Sequence, residues 1–267
     1  MIRVLPFCLL SLLLAGGVHA VRAGEQDYEQ RLVTHLVQNP VAGETVWLKA
    51  GGGEFLALLM EASVGDGKKA VIILHSMGTH ADWPEIISPL RTALPGRGWT
   101  TLSLQLPVLP PGTPLAEYGE TLAAAAARIR AGVSYLQDRG HPEIVIIGYS
   151  FGAAAALTYL DKNPAPVRAF IGISMQPRPF LNPSFDLLGH LAQLELPVLD
   201  IYGSHDYAEV TGTADGRRLA GKKNGNLLYE QFVINGADHY YTEREAELIN
   251  TVASWLGKLS VFGSAPE

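Results

Sequence analysis

Short apolar runs rich in β-branched residues alternate with amphipathic stretches over most of this chain. Ala70–Leu74, Trp99–Leu104, Glu143–Ile147, Val167–Ile173, Pro197–Tyr202 and Asn226–Ile234 predict strands. Between them, Trp83–Leu94 (opened by Asp82 and Pro84), Leu115–Arg139 (stopped by Gly140), Phe151–Asp161, residues 184–194 and Thr242–Leu259 predict helices. Residues 207–223 are mixed and partly helical in pattern. Upstream, residues 25–38 predict a short helix, and Glu44–Ala50 and Glu54–Ala62 flank Gly51-Gly52-Gly53 as a hairpin. Ala123–Ala127 favours helix, because periodic Leu, Ile and Val flank it. Strands that are apolar throughout need both faces covered. Their alternation with helices predicts a mostly parallel sheet, wrapped on two sides and joined by right-handed crossovers. In such sheets the reactive groups gather beyond the carboxyl ends of the strands.

The first residues break this pattern. Arg3 is followed by an apolar run from Val4 to about Leu14, then by the small residues around Gly16-Gly17 and Ala20. The run is too short to span a bilayer comfortably, and its flanks suit a signal peptidase. Residues 1–23 therefore predict a secretion signal cleaved near Ala20 or Ala23, and an exported, periplasmic bacterial protein with no membrane span once the signal is removed. Cys8 is the only cysteine and lies inside that segment. The mature chain then has no thiol for disulfides, for thiolate catalysis or for ligating a metal. The 267 residues suffice for one α/β domain, and 48% of them are hydrophobic. A net charge of -6 with no basic run argues against a nucleic-acid partner.

Candidate chemistry falls at the strand ends. Gly148-Tyr149-Ser150-Phe151-Gly152 follows the most apolar strand and precedes an Ala-rich helix. This is G-x-S-x-G in a strand–turn–helix context, where small flanking residues let a sharp turn project the Ser150 hydroxyl above the sheet. A serine hydroxyl is a weak nucleophile at neutral pH and needs a base. His239, in Asn235–His239 directly after the last predicted strand, is the first candidate. His75, His80 and His205 also lie near strand ends, whereas His35, His141 and His190 sit away from that edge. The base needs a carboxylate to fix its tautomer. Asp206, in Tyr202–Asp206 after the preceding strand, ranks above Asp238 and Asp200. Two oxyanion donors are expected: the N–H of Phe151 and, from the loop His75-Ser76-Met77-Gly78, the N–H of Met77.

The segments at 148–152, 202–206 and 236–239 resemble the α/β-hydrolase superfamily, over about residues 44 to 260. More narrowly, His80–Pro84, Leu90–Leu94, Trp99–Pro107 and Gly148–Ala156 resemble an uncharacterised family of exported bacterial α/β-hydrolase proteins. The resemblance implies one α/β-hydrolase domain over residues 24–267 with a Ser-His-Asp triad. It implies no physiological substrate. One departure stands out: many relatives have His-Gly after the first core strand, where this chain has His75-Ser76.

The expected reaction is acyl transfer from a carboxylic ester or thioester, small or lipid-like, through an acyl-enzyme on Ser150 and with no metal or organic cofactor. The segment between the strands at 167–173 and 197–202 is short, which predicts a minimal lid and an open site. Met175, Phe180, Leu181 and Phe185 are candidates for an acyl pocket or for ordinary core. The Pro107–Pro114 loop is a candidate border. Two other functions share the pattern: an acyltransferase using the same triad, and a non-catalytic binding protein on this scaffold. Product analysis with an added alcohol separates the first, and intact Ser150 and His239 argue against the second.

Overall fold

Successive side chains of a strand point to opposite faces of its sheet, so a strand that is apolar at every position needs a core on each side. The computed structural model describes residues 28–39, 41–161, 166–223, 226 and 228–262, and it has two such cores. The expected signal segment lies outside the described residues. The strands are β1 (Glu44–Ala50), β2 (Gly53–Met60), β3 (Lys69–Leu74), β4 (Thr100–Leu104), β5 (Glu143–Tyr149), β6 (Val167–Ile173), β7 (Val198–Gly203) and β8 (Tyr229–Ile234). They form one sheet in the order β1-β2-β4-β3-β5-β6-β7-β8. β1, β2 and β4 pair antiparallel, and all pairings from β4 through β8 are parallel.

The helices are α1 (28–38), α2 (Ile87–Ala93), α3 (Tyr118–Asp138), α4 (Phe151–Leu160), α5 (Leu187–Gln193), α6 (Ala208–Thr211), α7 (Ala214–Gly221) and α8 (Glu245–Phe262). Ile72, Leu74, Ile144 and Ile146 pack against Ile129 and Val133 of α3 and Leu157 of α4. Their sequence neighbours Val71, Ile73, Val145 and Ile147 pack on the other face against Leu90 of α2 and Val252 of α8. Each such side chain, removed from water, contributes about 1.5–3 kcal/mol.

Several element ends differ from the sequence pattern, two of them for identifiable reasons. α2 starts at Ile87 rather than at Trp83, because the Asp82 carboxylate does not cap the helix and instead binds the buried Arg91 Nε at 2.6 Å. β8 starts at Tyr229, because Asn226 holds the incoming loop through the carbonyls of Leu194 and Leu196. The mixed stretch at 207–223 contains two short helices, α6 and α7.

Two buried polar clusters tie neighbouring elements of the sheet together. Asp200 on β7 accepts from Arg217 Nε of α7 at 2.8 Å, and from the Tyr229 hydroxyl (2.7 Å) and Gln231 Nε2 (2.8 Å) of β8. Asp200 and Arg217 are both fully buried. At the end of β3, the His75 ring accepts the Leu106 N–H on Nε2 at 2.9 Å and donates from Nδ1 to the Ser76 carbonyl at 2.8 Å. Nε2 thus holds the end of β3 against the chain leaving β4, while Nδ1 fixes the ring on its own loop. Burial pushes the His75 pKa from the ordinary 6.5 down to about 3, so the ring stays neutral.

Asp200→Ala leaves the Arg217 charge buried and unpaired, and is expected to destabilise the fold by about 3–5 kcal/mol, read as a lowered urea midpoint. For His75 the unfolded chain binds a proton below pH 6.5 that the folded chain refuses until about pH 3. Its contribution to stability is therefore complete above pH 6.5 and falls toward pH 3 by about 1.4 kcal/mol per pH unit. The corresponding NMR titration should show His75 ring resonances that do not move between pH 7 and pH 5.

Candidate active site

Ser150 closes β5 and opens α4 with φ 52° and ψ −108°, backbone angles that cost energy for any residue with a Cβ. The turn is held by the Ser150 N–H, which donates to the Ile173 carbonyl of β6 at 2.8 Å. It admits only glycine at its flanks. A Cβ on Gly152 would lie 2.3 Å from the Leu74 carbonyl oxygen, and one on Gly148 would lie 2.6 Å from the Ala153 Cα.

Asp206 follows β7 and His239 follows β8. His239 Nδ1 and Asp206 Oδ1 are 2.6 Å apart, both side chains being buried. With the carboxylate as acceptor, Nδ1 carries the proton and Nε2 is the basic nitrogen. The remaining lone pairs of Asp206 are also used. Oδ1 accepts the Tyr207 N–H at 2.7 Å, and Oδ2 accepts the Ser174 hydroxyl at 2.5 Å. Ser174, at the end of β6 with φ 53°, lies 3.0 Å from the fully buried Tyr241 hydroxyl. The His239 ring is stacked under Tyr207 at 4.1 Å and flanked by Tyr149 at 5.3 Å. The Tyr149 hydroxyl donates to the His239 carbonyl at 3.2 Å. Asp238 is occupied elsewhere, accepting the N–H groups of Tyr240 and Thr242 in the turn after His239. Asp200 is committed to Arg217. His205 is exposed and His80 stands edge-on to Trp83.

The structure brings Asp206 and His239 together and sets His239 beside Tyr149, the neighbour of Ser150. It does not join Ser150 Oγ to His239. That oxygen instead accepts from Arg178 Nη2 at 2.9 Å and faces Gln176 Nε2 at 3.5 Å. Ser150 is only 3% exposed. The segment is short, but the guanidinium folds back over the nucleophile. Of the pocket candidates, Met175, Leu181 and Phe185 belong to the core and Phe180 is exposed.

On the oxyanion side, the Phe151 N–H points at Ser76 Oγ, 3.4 Å away, which is long for a hydrogen bond. The Met77 N–H has no acceptor among the described residues. Ser76 does not need a positive φ; Gly78 carries it instead, at 70°. Ser76 thus causes no backbone strain, and its effect is to put a hydroxyl in front of the Phe151 N–H.

Ser174, Tyr207, Gln176 and Arg178 are site residues that sequence reasoning missed. Gln176-Pro177-Arg178-Pro179 carried a signal for the last two, because a polar residue before proline, twice over, is a stiffened backbone after a strand end. Ser174 and Tyr207 carried none. Among the described residues no three His, Cys, Asp or Glu side chains converge to hold a metal, and no helix is long and apolar enough to cross a membrane.

Comparison places this site in a known architecture. Est1E from Butyrivibrio proteoclasticus superposes with a TM-score of 0.67 at 15% identity, covering 81% of this chain and 99% of that one. A putative α/β-hydrolase of unknown function from Agrobacterium tumefaciens gives 0.66 at 21% identity, covering 84% and 100%. A serine hydrolase without a lid from Xanthomonas campestris gives 0.63 at 13% identity, covering 82% and 96%. No curated protein matches the sequence. The family model described as "Protein of unknown function (DUF3530)" matches residues 18–127 and 119–258. The chain belongs to that family, and its fold is that of the α/β-hydrolases.

Proposed function

We propose that the protein is a serine hydrolase that cleaves a carboxylic ester or thioester, with Ser150 as nucleophile, His239 as base and Asp206 as the orienting acid. The observation that carries this reading is the buried 2.6 Å contact between His239 Nδ1 and Asp206 Oδ1, beside a serine at φ 52° between a strand and a helix. A carboxylate on Nδ1 leaves Nε2 to accept the serine proton, and it stabilises the imidazolium once formed. The stacked Tyr207 ring shields that cation from water and favours it further.

In the proposed cycle the Ser150 hydroxyl leaves the Arg178 and Gln176 donors, turns toward Nε2, and adds to the carbonyl carbon as its proton passes to His239. The oxyanion forms against the N–H groups of Phe151 and Met77, with the Ser76 hydroxyl displaced from Phe151 by the incoming oxygen. His239 then gives its proton to the departing alcohol or thiol. Water, deprotonated by the same ring, releases the acid and restores Ser150. The description of the Xanthomonas campestris relative as a serine hydrolase supports the reaction class.

Treating the purified protein with a fluorophosphonate probe tests the proposal. Labelling of the wild type that is lost in both Ser150→Ala and His239→Ala is the expected result. Asp206→Asn should keep the fold and lower kcat on an activated ester by about 10⁴-fold, since it offers His239 the wrong tautomer. A folded wild type that takes no label, or a Ser150→Ala variant that labels normally, contradicts the assignment.

A further inference from the structure

Arg91, Arg178 and Arg217 are buried arginines, and their partners differ. Arg91 meets Asp82 at 2.6 Å and Arg217 meets Asp200 at 2.8 Å. Arg178 is 1% exposed and has no carboxylate partner among the described residues. Its contacts are all with neutral groups. Nη2 donates to Ser150 Oγ, Nη1 lies 4.0 Å from the Met77 thioether, the guanidinium sits 5.6 Å above the Phe151 ring, and Nε has no partner. Burial pushes its pKa down to about 10, which still leaves it charged at neutral pH. An unpaired cation removed from water is costly, and the usual remedy is an opposite charge.

The backbone around this residue is stiff, as a binding site requires. Pro177 and Pro179 flank it, and the Arg178 carbonyl accepts the N–H groups of Leu181 and Phe185. Gln176, on the same segment, aims a second donor at Ser150 Oγ. Besides Ser150, the guanidinium meets Met77 and Phe151, the two residues whose N–H groups are the expected oxyanion donors, while the His239 ring is enclosed by Tyr149 and Tyr207. In the proposed cycle two donors, the N–H groups of Phe151 and Met77, already serve the tetrahedral oxyanion. The Arg178 fork offers more donors than that, in the planar spacing that suits a carboxylate.

We infer that Arg178, with Gln176, is the receptor for a carboxylate on the acyl part of the substrate, so that the ester cleaved at Ser150 is a monoester or monothioester of a short dicarboxylic acid. The inference rests on the proposed hydrolase reading for the cleavage, and on Arg178 itself for the anion. Because Nη2 is one hydrogen bond from the oxygen that becomes acylated, the carboxylate belongs only a few carbons from the scissile carbonyl.

The test compares 4-nitrophenyl hydrogen succinate with 4-nitrophenyl butyrate on the wild type, Arg178→Gln and Arg178→Lys. A parallel titration of Ser150→Ala with succinate, with and without Arg178→Gln, reads binding by calorimetry. The wild type should show a KM for the succinate ester lower than for the butyrate ester by at least about tenfold, the size of one charge-assisted pair. Arg178→Gln should abolish that difference by raising KM on the anionic ester alone, and Arg178→Lys should restore part of it. Succinate should bind the Ser150→Ala protein only when Arg178 is present. A loss of kcat shared equally by both esters, with both KM values unchanged, would make Arg178 an oxyanion donor and overturn the inference while leaving the hydrolase reading intact. Succinate binding that needs Arg178, in a wild type that neither labels nor turns over, would keep the anion site and sink the hydrolase.

Discussion

The Asp206 carboxylate is the constraint on which the rest of the site depends. It is a charge taken out of water, and such a charge is tolerated only when its lone pairs are filled. His239, the Tyr207 N–H and the Ser174 hydroxyl fill them. These groups come from the ends of three adjacent parallel strands, so the carboxylate is satisfied only if β6, β7 and β8 keep their order and register. The fully buried Tyr241, bound to Ser174 from the loop after β8, locks the arrangement from behind. Ser150, Ser174 and Tyr241 all have positive φ, at about 1–3 kcal/mol of strain each. The two apolar cores hold the strands rigidly enough to maintain those conformations, which places the energetic cost of the site in the packing of the whole domain.

Much of this was readable in the chain. The strands were legible because a parallel sheet covered on both faces demands continuous apolar runs, and Ile144–Ile147 and Val167–Ile173 are such runs. The candidate residues were legible because they stand alone at strand ends with chemistry that the core would not tolerate without reason. What was not legible depended on side chains reaching across the fold. Asp82 looked like a helix cap and serves Arg91 instead, so the start of α2 was misplaced. Nothing in the sequence around Arg178 says that its guanidinium turns inward over Ser150. Ser76 stood out as a departure from the resemblance, yet the unusual backbone of its loop lies two residues on, at Gly78.

Ser76 and Arg178 both reach the nucleophile elbow. One puts a hydroxyl at the Phe151 N–H, and the other a charge at Ser150 Oγ. Both occupy positions that a substrate must take over. A ligand that brings its own anion relieves the buried guanidinium, and one that does not must displace these contacts without compensation. Selectivity would then come from a charge satisfied on binding and not from a lid.

The interaction at the centre of this account can be observed directly. A proton held between His239 Nδ1 and Asp206 should give a proton NMR resonance far downfield of the amides. The account predicts that signal in the wild type and in Ser150→Ala, and its loss in both His239→Gln and Asp206→Asn. A wild type without the signal at low temperature, or a signal that survives in His239→Gln, would contradict it.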